Sequence, residues 1–266
     1  MRKYLYYLNS IFKLLTGIKN WFLAARVFLK LKPPRTPVVH IRKPPLRMKT
    51  RGAMDIWCVK ETFLDRLYCK YGFEIGSGWQ IIDIGAAIGD FTIFAALTSS
   101  ENVVYAYEPF PESYALLEQN LELNHVSNVR SYPQAIGSQS GYLFLNQSSG
   151  EPLQFNTEMT FNPSQSISVP AVTLADAISS AGLEHCDLMK LDCEGAEYPI
   201  LMSCPVDVFN KIERIVMEYH DIPRHHHKEL VDFLKANGYQ VETFPNPVHS
   251  NIGYLRAWRK TKAISG

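Results

Sequence analysis

At 266 residues the chain is long enough for one full domain with a large core plus an extension. Five cysteines, an odd number without a Cys-x-x-Cys pair, argue against a disulfide framework or a structural zinc site and for a reducing compartment. The formal charge of +1 conceals a segregation: residues 1–54 hold thirteen Lys and Arg and no Asp or Glu, leaving 14 basic against 26 acidic residues, a net of −12, in the remainder. A globular domain needs no such segregation, so the basic arm is expected to meet something anionic.

Residues 1–32 are predicted to form a basic amphipathic helix. Tyr4, Tyr7, Ile11, Leu14, Ile18, Trp21, Ala25 and Phe28 recur at alternating steps of three and four, with Arg2, Lys13, Lys19, Arg26 and Lys30 mostly off that stripe. Charges interrupt every apolar run before eighteen residues, so no membrane span is predicted, and the spread of basic residues fits a cleavable signal peptide poorly. Such a helix either lies in an anionic membrane interface or docks on its own domain or a second subunit. The expected location is cytoplasmic, peripheral on the inner face of a membrane under the first alternative.

Pro33, Pro34, Pro37, Pro44 and Pro45 predict an extended, proline-rich connector over residues 33–54. The third unit, residues 55–266, opens with a helical lead-in from Asp55 to Tyr71. Strands are then expected at Gln80–Ile84, Val103–Tyr107, Val129–Tyr132, Asp187–Leu191, Ile212–Tyr219, Tyr239–Thr243 and Ile252–Trp258. Helices are expected at Phe91–Leu97, Glu112–Leu123, Leu174–Ser180, Pro199–Ser203 and His226–Ala236. This alternation predicts a doubly wound α/β fold, a mostly parallel sheet covered on both faces. Short alternating runs between Gly141 and Val172 predict an inserted β-hairpin flanking the site.

The stretch Ile81 to Thr92, IIDIGAAIGDFT, reads as a buried strand ending in a tight turn whose backbone can lie against a ligand. A dinucleotide turn wants Gly-x-Gly-x-x-Gly, but here Gly85 is followed by Ala87 and Asp90 at the other two positions, and Gly89 falls four residues after the first. A β-carbon at the middle position disfavours a pyrophosphate and hence a nicotinamide oxidoreductase. The turn suits the amino-acid end of S-adenosylmethionine, its carboxylate drawn to the helix N-terminus near Asp90 and its ammonium to Asp83, directly or through water. Glu108 ends the second strand 25 residues beyond Asp83, where a carboxylate can accept hydrogen bonds from both ribose hydroxyls. Each acid taken singly could instead cap a helix.

With these blocks in order, the chain resembles the FkbM family of S-adenosylmethionine-dependent methyltransferases over roughly Arg51 to Trp258. The resemblance rests on Asp83-Ile84-Gly85-Ala86 with Gly89 and Thr92; on Glu108-Pro109-Phe110-Pro111 followed by Asn120 and Asn124; on Gln134-Ala135-Ile136-Gly137; on Lys190 to Glu197 (KLDCEGAE), the most specific block; and on Glu218-Tyr219-His220. It implies the seven-stranded, Rossmann-like class I methyltransferase sheet with its last strand antiparallel. It also implies a cofactor site at Asp83, Gly85, Ala86, Gly89, Glu108, Gln134 and Ala135, and O-methylation of a sugar, glycan, lipid-linked or polyketide-like acceptor. Ala87 departs from the asparagine the family often carries there, which removes one side-chain contact.

Polar residues gather where the strands end: Asp83, Glu108, Gln134, Asp192, Glu194, Glu197, Glu218 and His220. Lys190, in a sheet centre, is costly unless paired, so a carboxylate beside it is expected. An alcohol acceptor must lose a proton, and His220 is the first candidate for the base because imidazole titrates near neutrality; Asp192 is the second. Cys193 sits in the signature block, but methyl transfer needs no covalent enzyme intermediate. No metal site is predicted at His225-His226-His227, because three helical histidines in a row point about 100° apart; a Mg²⁺ held by Asp192 and its neighbours is the lesser alternative to a metal-free site. The rivals are a nucleic-acid methyltransferase, for which Asn246-Pro247-Val248 lacks the second proline and the stacking ring, and a non-catalytic membrane-associated module that keeps the cofactor fold.

Overall fold

The computed structural model describes residues 2–31, 34–147, 155–156 and 166–259. The arm is two helices, α1 (Arg2–Gly17) and α2 (Trp21–Phe28), followed by strands β1 (Val38–Ile41) and β2 (Leu46–Lys49). Next come α3 (Ala53–Val59), a π-helical turn at Lys60–Leu64, and α4 (Leu67–Lys70), so the helical lead-in expected at 55–71 consists of three pieces. The core then runs β3 (Gln80–Ile84), α5 (Asp90–Thr98), β4 (Val103–Tyr107), α6 (Pro111–Leu123), β5 (Val129–Tyr132), β6 (Ala135–Gly137), β7 (Gly141–Gln147), β8 (Phe155–Asn156), β9 (Ser166–Thr173) and α7 (Leu174–Ser180). It continues β10 (Leu188–Leu191), α8 (Glu197–Met202), α9 (Val206–Phe209), β11 (Arg214–His220), α10 (His227–Ala236), β12 (Tyr239–Pro245) and β13 (Ile252–Arg259).

Seven strands form one sheet in the order β12-β13-β11-β10-β3-β4-β5, in which only β13 runs against the rest. The predicted parallel sheet and its antiparallel last strand are both present. Because the chain leaves β3 toward β4 and β5 and returns at β10, the order reverses between β3 and β10. That switch point is where α/β sheets open a crevice for ligands. The strand residues β3 and β10 contribute are fully apolar except Gln80 and the cross-strand pair Asp83 and Lys190, as a strand covered on both faces requires.

The proline-rich stretch is not a bare connector. β1 and β2 pair antiparallel, with Val39, Ile41, Leu46 and Met48 buried against Ile56, Val59, Leu116 and Leu117. Period-two alternation survives because Pro37 precedes the first strand and Pro44 and Pro45 lie between the two, where no ladder N–H is needed. The outer edge of β2 is satisfied by side chains. Asn120 accepts from Lys49 N at 2.7 Å and donates to Lys49 O and Ile88 O, and Asn124 does the same for Arg47. The inserted hairpin is also present: Leu143 faces Val169 and Leu145 faces Ile167. It belongs to a second, four-stranded sheet ordered β6-β9-β7-β8.

The predicted stripe is split. Leu14 and Ile18 of it are buried, and Tyr6, Ser10, Lys13 and Gly17 join them on the docked face, whereas Tyr4, Tyr7 and Ile11 are exposed. Tyr4, Leu5, Leu8, Ile11, Phe12 and Leu15 remain exposed. No helix among the described residues is long and apolar enough to cross a membrane.

Candidate functional site

The turn after β3 is built on glycine. Gly85 has φ +77°, and a Cβ there would lie 2.0 Å from the Asp192 carbonyl oxygen, so only glycine lets β3 and β10 end this close together. Gly85 N and Ala86 N both donate to Tyr107 O, and Ala87 holds a left-handed φ of +48°. Its N–H is gripped by Glu108 Oε2 at 2.7 Å, while Glu108 Oε1 accepts from Phe110 N at 2.8 Å. Burial pushes the Glu108 carboxyl up to about 7, only partly opposed by the N–H groups of Phe110 and Ala87. Two backbone bonds leave one lone pair on each oxygen, which is the acceptor set a ribose diol needs.

Two predicted contacts are corrected. Asp83 is fully buried: Oδ2 accepts from Thr92 at 2.6 Å, and Oδ1 lies 3.1 Å from Lys190 Nζ, which itself donates to Gly85 O at 2.7 Å. It is the carboxylate expected beside Lys190, and it braces the turn from beneath instead of meeting a ligand's ammonium. The N-terminus of α5 is likewise taken, because the Asp90 carboxylate sits there, bonded by Thr62. Burial raises Asp90 to about 6. That helix end is therefore already occupied by the chain's own carboxylate.

On the β10 side, Asp192 is half-buried and its Oδ2 accepts from Tyr68 at 2.8 Å. Glu194 and Gly195, with φ of +53° and +101°, reverse the backbone. Glu197, fully buried, ties that reversal down by accepting from Cys193 N at 2.8 Å and Gly195 N at 2.9 Å. His220, at the end of β11, puts Nδ1 3.3 Å from Glu197 and Nε2 3.5 Å from Glu194 and 3.9 Å from Glu218. Burial works to lower its pKa, but Glu197, Glu194 and Asp192 outweigh it and hold the ring at about 10. The carboxylates around His220 thus favour its imidazolium form, which works against the base role that its ordinary pKa suggested. Glu194 has moved the other way, raised by burial to about 7 and partly restrained by His220. Glu218 is pushed well up by burial and by Asp192. The Cys193 thiol is also raised well above its usual range by burial and Glu197, the reverse of nucleophile activation.

Gly85, Ala86 and Glu108 therefore meet around one turn, with Asp83 beneath it, Gly89 at the α5 N-terminus, and Asp192 and His220 beside it. Gln134 and Ala135 stand apart at the start of β6; among the described residues no hydrogen bond joins them to the others. The motifs missed a wall supplied by the lead-in. Glu61 accepts from Tyr6 and from Trp57 Nε1, each at 2.9 Å, and burial raises it to about 7. Tyr68 belongs to the same wall. The one signal was Lys60-Glu61 directly after the apolar run at residues 56–59.

The result is a cleft with more carboxyl groups, Glu108, Asp192, Glu194, Glu197 and Glu218, than cations, since Lys190 is taken by Asp83 and His220 is shared among the glutamates. A sulfonium with an ammonium supplies such cations, so the donor set fits S-adenosylmethionine better than a pyrophosphate. Two surface cavities lie elsewhere, one lined by Lys13, Arg42 and Lys43, the other by Asp221 and the histidine run. In the latter, α10 begins only at His227, so His226 and His227 converge on Asp221 Oδ2 at 3.3 and 3.0 Å instead of fanning out along a helix.

The family described as "Methyltransferase FkbM domain" matches residues 83–241. The chain is 25% identical over 223 residues to 31-O-demethyl-FK506 methyltransferase FkbM of Streptomyces tacrolimicus, covering 71% of this chain and 83% of that one. It is 25% identical over 181 residues to Methyltransferase 1 of Beauveria bassiana, covering 61% and 72%. Among solved structures, a putative methyltransferase from Streptococcus mutans in complex with SAH superposes with a TM-score of 0.48 at 10% identity, covering 74% of this chain and 97% of that one. Magnesium protoporphyrin IX methyltransferase from Synechocystis with bound SAM gives 0.45 at 14%, covering 78% and 83%.

Proposed function

This chain belongs to the FkbM family of S-adenosylmethionine-dependent methyltransferases, and we propose that it methylates a hydroxyl of a sugar, glycan, lipid-linked or polyketide-like acceptor. S-adenosylmethionine supplies a sulfonium-activated methyl group for in-line displacement with a neutral leaving group. The chain's own task is alignment, worth as much as ~7–11 kcal/mol, together with removal of the acceptor proton. The Gly85 turn and Glu108 would hold the donor, and Gln134 and Ala135, which make no hydrogen bond to that turn among the described residues, would approach it only from the segment that leads from β5 into β6.

One observation carries the choice of oxygen. Glu194 stands at about 7 beside the His220 cation, a proton acceptor matched to neutral pH at a cleft otherwise lined by carboxyls and phenols. Nitrogen acceptors that are already neutral need no such base. The name of the Streptomyces relative, a 31-O-demethyl methyltransferase, agrees with oxygen. Asp192, held by Tyr68, orients the acceptor, and His220 positions Glu194 and Glu197 through its charge.

Incubation with methyl-labelled S-adenosylmethionine and fractionated cell extract tests this reading. Label is expected in a base-stable ether of a glycan, lipid or small molecule. Label confined to nitrogen or to nucleic acid refutes it. Once an acceptor is found, Glu194→Gln should abolish the ascending limb of the pH–rate profile near 7, whereas His220→Gln should displace that limb without removing it. The opposite pattern returns the base role to His220.

A further inference from the structure

We propose that α1 and α2 form a peripheral anchor that beds in the interface of an anionic lipid bilayer. α1 is apolar on two nearly opposite sides. Tyr6, Ser10 and Leu14 pack on the protein, and Leu8, Phe12 and Leu15, roughly 140–160° from the central Ser10 at 100° per residue, face outward. Leu8 is 64% exposed, Phe12 63% and Phe22 of α2 59%, with Tyr4, Leu5, Ile11 and Trp21 also exposed. The Trp57 ring joins the two helices, 6.1 Å from Tyr7 and 6.5 Å from Phe28. Monomeric proteins seldom leave so many large apolar side chains together in water.

Charge selects the occupant. Lys3, Lys19, Lys30, Arg35, Arg42 and Lys43 are exposed on the same arm and hairpin, within a 54-residue stretch that contains no acid. At the margin of the apolar face a cavity of about 420 Å³ is lined by Lys13, Thr16, Arg42 and Lys43 with Phe63 and Leu64, room for a lipid phosphate with apolar walls below it. A second copy of the chain would press two such cationic arms together. A nucleic acid would meet leucine and phenylalanine at the centre of the surface where it needs cations. An anionic bilayer satisfies the apolar face and the basic rim at once. Tyr6, bonded to Glu61, packs this anchor against the carboxylate cleft.

Vesicle flotation of the whole chain tests the proposal, with phosphatidylcholine alone and with phosphatidylcholine mixed with phosphatidylglycerol. The wild type is expected to float with the anionic vesicles, weakly with the neutral ones, and less as salt is raised. Leu8→Glu/Phe12→Glu should cut anionic partitioning at least tenfold, while Leu97→Glu, an exposed apolar residue on α5, should leave it unchanged. Failure of the wild type to float overturns the anchor, as does undiminished flotation of the double variant. A wild-type dimer that the double variant dissociates, with no vesicle binding, assigns the face to a second copy instead. Calorimetry with S-adenosylmethionine, expected to be alike in all variants, reports the methyl-transfer reading separately: its failure leaves the flotation result standing.

Discussion

His220 offers the sharpest test of the electrostatics. Its folded pKa of about 10 lies above the ordinary 6.5, so the folded state holds the proton more tightly than the unfolded chain does. That difference contributes stability that is fully present below pH 6.5 and lost as pH rises through 10. The linkage relation with these two values gives about 4–5 kcal/mol at pH 6, about 3 at pH 8 and under ~1 at pH 10. Burial of the ring at 8% side-chain exposure means solvent screens little of this. His220→Gln removes the titration while keeping a hydrogen-bond donor near Glu197. Urea unfolding of wild type and variant at pH 6, 8 and 10 should show a stability gap that is widest at the lowest pH and closes toward pH 10. Groups remote from His220 titrate alike in both proteins and cancel in the difference, whereas Glu194 and Glu218 lose the His220 charge and titrate higher in the variant. A gap that is constant, or that widens with pH, refutes the imidazolium and with it the pairing to Glu197 and Glu194.

Gly85→Ala should weaken S-adenosylmethionine binding at least tenfold by calorimetry, because the new Cβ meets a backbone oxygen at 2.0 Å; Gly182→Ala, at φ +67° with open space around it, should cost only ~1 kcal/mol of stability and no affinity. Glu108, raised by burial to about 7, ionises more readily once a cationic ligand enters, so donor affinity should rise from pH 6 to 8 and Glu108→Gln should flatten that rise. Tyr68→Phe deletes the 2.8 Å bond to Asp192 and should lower kcat by ~1.5–3 kcal/mol in barrier with donor affinity unchanged. Asn120→Ala removes two bonds to the hairpin at Lys49 and one to Ile88 O in the turn after β3, and should destabilise the fold by ~2–4 kcal/mol in thermal or urea unfolding, an effect absent if β1–β2 is only a loose connector.

Much of the frame was legible in the linear chain because its signals are local. Period-two and helical patterns put each of the seven sheet strands within two residues of its observed ends. The glycine turn at Gly85, the acid 25 residues on and the KLDCEGAE block marked the switch point before any contact was known. A carboxylate partner for Lys190 followed from the cost of a bare charge in a sheet, though not that the partner would be Asp83, which thereby left the ligand-facing set.

What the tertiary structure alone decided depends on neighbours far apart in sequence. Glu197 and Glu194, more than twenty residues before His220, turn its expected neutral ring into a cation. Thr62 holds the Asp90 carboxylate buried at the start of α5, the helix end expected to receive a ligand. Asn120 and Asn124 convert a proline-rich stretch into a paired hairpin, and Tyr6 and Glu61 add a wall that no motif announced. An amphipathic period says that a helix has an apolar face; which of two faces meets protein depends on the surface it lands on. Local pattern encodes backbone direction and burial of one side, whereas protonation, partner choice and docking are differences between environments that exist only once the chain has closed on itself.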